Sequence, residues 1–226
     1  LPLPPGVEIG KPLKIDETTY GPLKALAEQA AEEAMPGRTL RIRAGLIVGP
    51  GDPTDRFLYW PLRLARGGEV LVPGVPADPM QFIDVRDLAQ WLVSAIEDQH
   101  RGLYNVVGPR EPTIGAVLAK MQSGIGSTAR LTWVQSAWLE ANQAGGWEDF
   151  PVTVSADSPT SGFARVSAAR ALAHGLRFRS PGETAKDTLA WWHSQPQDRL
   201  TQPRPGLSEA REAELLARWH KSAAGK

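Results

Sequence analysis

Apolar positions recur three and four residues apart over 24–35, and again over 87–97 and 113–122, while short continuous apolar runs fall between them. The first of these segments predicts a helix over 24–35, with capping candidates at Asp16, Glu17, Thr18 and Thr19 and a stop at Pro36-Gly37. Residues 38–48 thicken into Leu40, Ile42, Leu46, Ile47 and Val48, the pattern of a buried parallel strand, and Gly49-Pro50-Gly51-Asp52-Pro53 closes it as a loop. A helix over 57–66, strands at 69–73 and 81–85, and a helix over 87–97 capped or started by Asp87 follow. The strand at 102–108 and the helix at 113–122 repeat the rhythm, and Ile114, Val117, Leu118 and Met121 share one face of that helix. Residues 131–134 predict a strand and 137–142 a helix, while 145–162 read mostly as loop. Further helices are expected at 167–174, from Pro181 or Gly182 to His193, and in the tail after Ser208. Alternating helices and strands place the chain in the α/β class.

Composition narrows the chemistry. The 226 residues contain no cysteine, which excludes disulfides and thiolate nucleophiles or metal ligands and suits a reducing, cytoplasmic setting. Lys+Arg and Asp+Glu both number 25, so net charge gives no reason to expect nucleic acid or an acidic membrane surface. The four histidines lack ligand spacing, and no metal is assigned. The lead at 1–6 reads as a loop, and the first residue is Leu rather than Met, which suggests a segment upstream.

The most informative short pattern is Tyr20-x-x-x-Lys24. Four residues on a helix rise ~6 Å, about one turn, so phenol and ammonium project from one face. A cation beside a phenol favours the phenolate, and the pair can then exchange a proton with a hydroxyl or carbonyl oxygen. The competing reading is a tyrosine packed at a helix start and a solvated lysine.

In order and spacing, Tyr20-x-x-x-Lys24 with Glu28, RIRAGLIVGPGD at 41–52, QFIDVRDLA at 81–89 and LYNVVG at 103–108 resemble the extended short-chain dehydrogenase/reductase, or NAD-dependent epimerase/dehydratase, family. The resemblance covers about 20–108. It implies a partial Rossmann-type parallel sheet with a smaller α+β substrate-side region, and NAD or NADP as cofactor. It assigns Tyr20 as acid/base and Lys24 as ribose binder and phenol-activating cation, with Gly45, Leu46 and Ile47 bordering the cofactor. The family's Gly-rich phosphate-binding turn and its Ser/Thr strand before the tyrosine are absent from this sequence. Nucleotide-sugar enzymes of the family often carry Asn near Leu46 and Arg near Met80. This chain has neither, which leaves sugar-nucleotide epimerisation unsupported and tilts the reading toward reduction.

The implied organisation is a Rossmann-type remainder over 1–110, with a substrate-side insertion at about 53–80, and a C-terminal substrate-binding region over 111–226. Arg56, Phe57, Trp60, Arg86, Trp138 and Trp147 are the substrate-contact candidates, each weighed against a core or surface role. The expected partner is a small-molecule substrate, with no nucleic acid and no membrane. A homodimer, or another chain supplying the missing N-terminal half, would complete the sheet, whose strand at 42–48 is expected to have an unpaired edge. A non-catalytic binding relative and an inactive fragment are the alternatives to an enzyme.

Overall fold

The computed structural model describes residues 15–16, 18–202 and 204–224, so the lead at 1–6 lies outside the described residues. The order is α1 (Tyr20–Ala34), β1 (Leu40–Ala44), β2 (Ile47–Val48), α2 (Tyr59–Ala65), β3 (Glu69–Pro73), β4 (Ile83–Asp84), α3 (Val85–Glu97), β5 (Gly102–Val106), α4 (Ile114–Ile125) and β6 (Arg130–Val134). Then come α5 (Ser136–Ala141), α6 (Gly146–Asp149), a 3-10 turn (Ser161–Arg165), α7 (Ala169–Ala173), α8 (Pro181–His193), α9 (Gln197–Leu200) and α10 (Glu209–Ala224). Strands pair β1–β5, β2–β4 and β3–β6, all parallel. Parallel pairing requires long crossovers, and the intervening helices supply them.

Three expectations shift. Helix α1 starts at Tyr20, ahead of Lys24, because the Asp16 carboxylate accepts the Thr18 and Thr19 amides and the Asp16 carbonyl accepts the Tyr20 amide at 2.9 Å. Pro22 sits in the first turn, where its missing N–H costs nothing. The single strand expected at 38–48 is two strands broken at Gly45-Leu46, and β1 is only half-covered, with Arg43 and Ala44 exposed. It pairs with β5 along one edge, and among the described residues no strand pairs with the other. Helix α1 likewise buries no residue; Glu28 ties it to β1 through a forked pair with Arg43 and Glu32 through Arg41 and Thr39. The stretch 145–162, read as loop, carries α6 and the start of the 3-10 turn, and α9 adds a turn before the tail helix.

Two apolar clusters result. One joins Leu46 and Val48 to Phe57, Trp60, Val70–Val72, the buried face of α4, Val134, Phe150 and Leu215. The other packs Trp91, Ala95, Tyr104, Val106, Ala171 and Leu176 between α3, β5 and α7. The chain crosses between the two clusters more than once.

Helices α4 and α8 meet through glycines. A Cβ on Gly124 would stand 2.5 Å from both the Cα and the carbonyl oxygen of Gly182, and one on Gly182 would stand 2.6 Å from the Lys120 carbonyl oxygen. Gly124→Ala gains ~1 kcal/mol of helix propensity. Because both obstacles are backbone, separating the helices costs about 1–3 kcal/mol or more, and the clash wins. A net loss of stability is expected in urea unfolding; an unchanged midpoint would show that the helices yield freely.

Candidate active site

The segment QFIDVRDLA builds the floor beneath the candidate site. Asp84 is the N-cap of α3, in extended conformation, and its carboxylate accepts the Arg86 amide at 2.9 Å. Asp87, expected to cap or start this helix, lies in its first turn and faces Arg179 instead, at 2.7 Å from Nη1 and 2.9 Å from the backbone amide. The Asp84 side chain, 2 % exposed, also accepts Arg86 Nε and Nη2 and the Thr184 hydroxyl. Burial pushes the Asp84 carboxyl up, but these donors outweigh it and hold it below the ordinary value. For Asp87 burial wins over Arg179, and its carboxyl is raised. The Asp84 oxygens lie beneath Gly49, where a Cβ would come within 3.4 Å of them; the φ of +117° there also favours glycine. The network therefore fixes the turn that follows β2.

Above that turn opens a cleft of about 540 Å³, at the C-terminal ends of β1 and β2. Tyr20 stands on its rim, 58 % exposed, and Gly45, Leu46, Ile47 and Val48 form one wall. Pro50, Arg56, Val85, Trp147 and Phe163 complete it. Open α/β sheets bind ligands outside the carboxyl ends of their strands, and this cleft has that position. Exposed Ile47 and Phe163 add apolar surface beside it. The Trp147 indole is fixed by its N–H donating to the Thr153 carbonyl at 2.8 Å, and its ring meets Phe163 edge-on. Arg56 lies 5.9 Å from the Trp147 ring centre and is steadied by a 2.8 Å bond to Thr54. Lys24 projects one turn further along α1, exposed, and does not line the cleft.

The remaining substrate-contact candidates sit elsewhere. Phe57 and Trp60 are fully buried: Phe57 packs edge-on against Phe82, and the Trp60 indole donates to the Pro151 carbonyl. Both belong to the core, because α2 turns its apolar face inward. Arg86 is committed to Asp84 and Asp187 at the α3–α8 junction. Trp138 packs against Trp219 on α10 and does not line the Tyr20 cleft. Val85, Phe163 and the 50–54 loop were not singled out from sequence. The loop could have been, since Gly49-Pro50-Gly51-Asp52-Pro53 ends the strand that carries Gly45–Ile47.

Comparison with known proteins follows this geometry. Parts of the chain superimpose on RMD from Pseudomonas aeruginosa complexed with NADPH (TM-score 0.53, 16 % identity, 84 % of this chain and 60 % of that one). They also superimpose on UDP-glucose 4-epimerase from Thermus thermophilus in complex with NAD (TM-score 0.51, 18 % identity, 84 % and 60 %). The chain shares the α/β fold of these two structures. In sequence, 94 residues are 32 % identical to the epimerase family protein SDR39U1 of Bos taurus, covering 40 % of this chain and 31 % of that protein. No family model matches. The chain thus spans about three-fifths of these two solved structures, and its matched stretch under a third of the curated relative. No helix among the described residues is long and apolar enough to cross a membrane.

Proposed function

We propose that the cleft under Tyr20 is the nicotinamide and substrate end of an NAD(P)-dependent oxidoreductase acting at a carbon that bears a hydroxyl or carbonyl group. The observation that carries this reading is the placement of Tyr20 on the rim opposite the Gly45–Ile47 wall, with Lys24 one turn along the same helix. The solved relatives that hold NADPH and NAD support it at the level of fold. The lining suits the ring and ribose end of the cofactor: the Gly45–Ile47 backbone and the exposed apolar side chain of Ile47 offer a surface for a flat ring. When bound, the cofactor accepts or supplies a hydride. Tyr20 would hold or move the proton at its phenolic oxygen, and the Lys24 ammonium would donate to a ribose hydroxyl. Arg56 and Trp147 would orient the substrate. Reduction is preferred to epimerisation because the Asn and Arg that accompany nucleotide-sugar sites are absent near Leu46 and Met80.

Tryptophan fluorescence titrated with NADH and NADPH tests this reading, since Trp147 lies in the cleft. Saturable binding is expected, weakened about tenfold (~1.4 kcal/mol) in Lys24→Ala. Tyr20→Phe should retain binding and lose turnover of carbonyl substrates. A second reading, a binding relative without catalysis, draws on the open setting of Tyr20. Binding that Lys24→Ala leaves untouched, or no binding at millimolar cofactor in a folded chain, would favour it.

A further inference from the structure

Beyond Trp147 lies a second cavity, of about 240 Å³, closed by the end of β3, the start of α4, helices α5 and α6, and the 153–160 segment. Trp147 lines both this cavity and the Tyr20 cleft. Asp78, 7 % exposed, pins the cavity's two lips together: one carboxylate oxygen accepts the Val75 amide and the other the Ala156 amide, each at 2.9 Å. On α5, Ser136 and Glu140 stand four residues apart and both line the cavity. One turn of helix places them on one face. Neither side chain has a hydrogen bond or ion pair among the described residues. The other polar groups here are hydroxyls, and two of them, on Ser158 and Thr160, bond each other at 2.8 Å. No Lys or Arg lines the cavity.

We infer that this cavity receives the body of a polyhydroxylated substrate that bears an amine and no phosphate, with Glu140 and Ser136 reading its donors. The inference rests on the preceding reading only for the position of the reacting carbon, which Trp147 would set at the mouth of the Tyr20 cleft. A carboxylate accepts hydrogen bonds and attracts an ammonium, and a serine hydroxyl both donates and accepts. A diphosphate in the same space would meet two carboxylates and no cation to neutralise it. Indole beside such a site suits the apolar face of a ring or the charge of an amine.

Titration of the full chain with D-glucosamine, D-glucose and UDP-glucose, followed by calorimetry and tryptophan fluorescence, tests this. Glucosamine is expected to bind about fivefold or more tightly than glucose, and UDP-glucose not to saturate. Glu140→Gln should bring glucosamine down to the level of glucose while leaving thermal unfolding unchanged, because Glu140 is exposed and unpartnered. Ser136→Ala should weaken both sugars together. Saturable UDP-glucose binding, a glucosamine preference that survives in Glu140→Gln, or no response to any of the three in the folded chain would overturn the inference. NADPH titrated in parallel separates the two ideas: glucosamine binding without NADPH binding leaves the cavity standing and removes the oxidoreductase reading, and the converse removes only the cavity.

Discussion

Glu212→Ala is expected to cost about 3–5 kcal/mol, because it strands a buried guanidinium. Glu212 and Arg63 have side chains only 4 % and 7 % exposed and meet at 2.5 Å between Arg63 Nε and Glu212 Oε2. The same carboxylate accepts Arg66 at 3.1 Å and the Leu71 amide at 3.0 Å, so it joins α10 to α2 and β3 at once. Arg63 also donates to the Gly67 and Glu69 carbonyls, which leaves it well placed but uncompensated once the anion is gone. Replacing both partners with apolar residues of similar volume should recover much of the loss, since the pair itself repays its desolvation only in part. Urea unfolding of the single and double variants measures this. A single-variant loss under ~1 kcal/mol would place the pair with the weak surface bridges.

The second large effect belongs to Asp84→Asn, expected to cost about 1–3 kcal/mol near neutral pH, because Thr184 and the partly exposed Arg86, which keeps Asp187, lose a buried anionic acceptor. Its pH dependence has a definite sign. The folded carboxyl lies below its ordinary value of 3.8, so its stabilisation is fully present above that value and fades as pH falls through the lower, folded value. The gap between wild type and Asp84→Asn should therefore be constant from pH 5 to 7, within the precision of about 0.5 kcal/mol usual for such comparisons, and close in strong acid. Asp87 acts the other way: its raised carboxyl makes the folded state the better proton binder, so Asp87→Asn should lose least, or gain, above that raised value. Thermal unfolding across pH 2–7 reads both, and a wild-type-to-Asp84→Asn gap that widens on acidification would contradict the assignment. Because Asp84 lies under Gly49, the same variant should loosen the turn that bounds the Tyr20 cleft, which weaker NADPH binding at neutral pH would register.

Sequence alone determined the α/β alternation, since each helix stripe and strand run is a local pattern set by the periods of 3.6 and 2. Strand β3 coincides with its expected range, and α4, expected over 113–122, runs from Ile114 to Ile125 behind a Thr113 cap. Of the site residues expected from sequence, Tyr20, Gly45, Leu46, Ile47, Arg56 and Trp147 line the cleft beside Val85, Phe163 and the 50–54 loop, while Lys24, Phe57, Trp60, Arg86 and Trp138 do not. What only the tertiary structure decided is which aromatic goes inward. Phe57, Trp60 and Trp147 have the same composition signal, yet the first two are enclosed by partners from 82 and 151, far away in the chain, while Trp147 is held at a cleft by Thr153 and Phe163. Asp84 rather than Asp87 caps α3 because the deciding donors arrive from Arg86 and from Thr184 on α8, and the latter is a hundred residues on. The Ser136–Glu140 cavity was likewise invisible beforehand: its walls come from five separate segments, and no local period encodes the space that they leave between them.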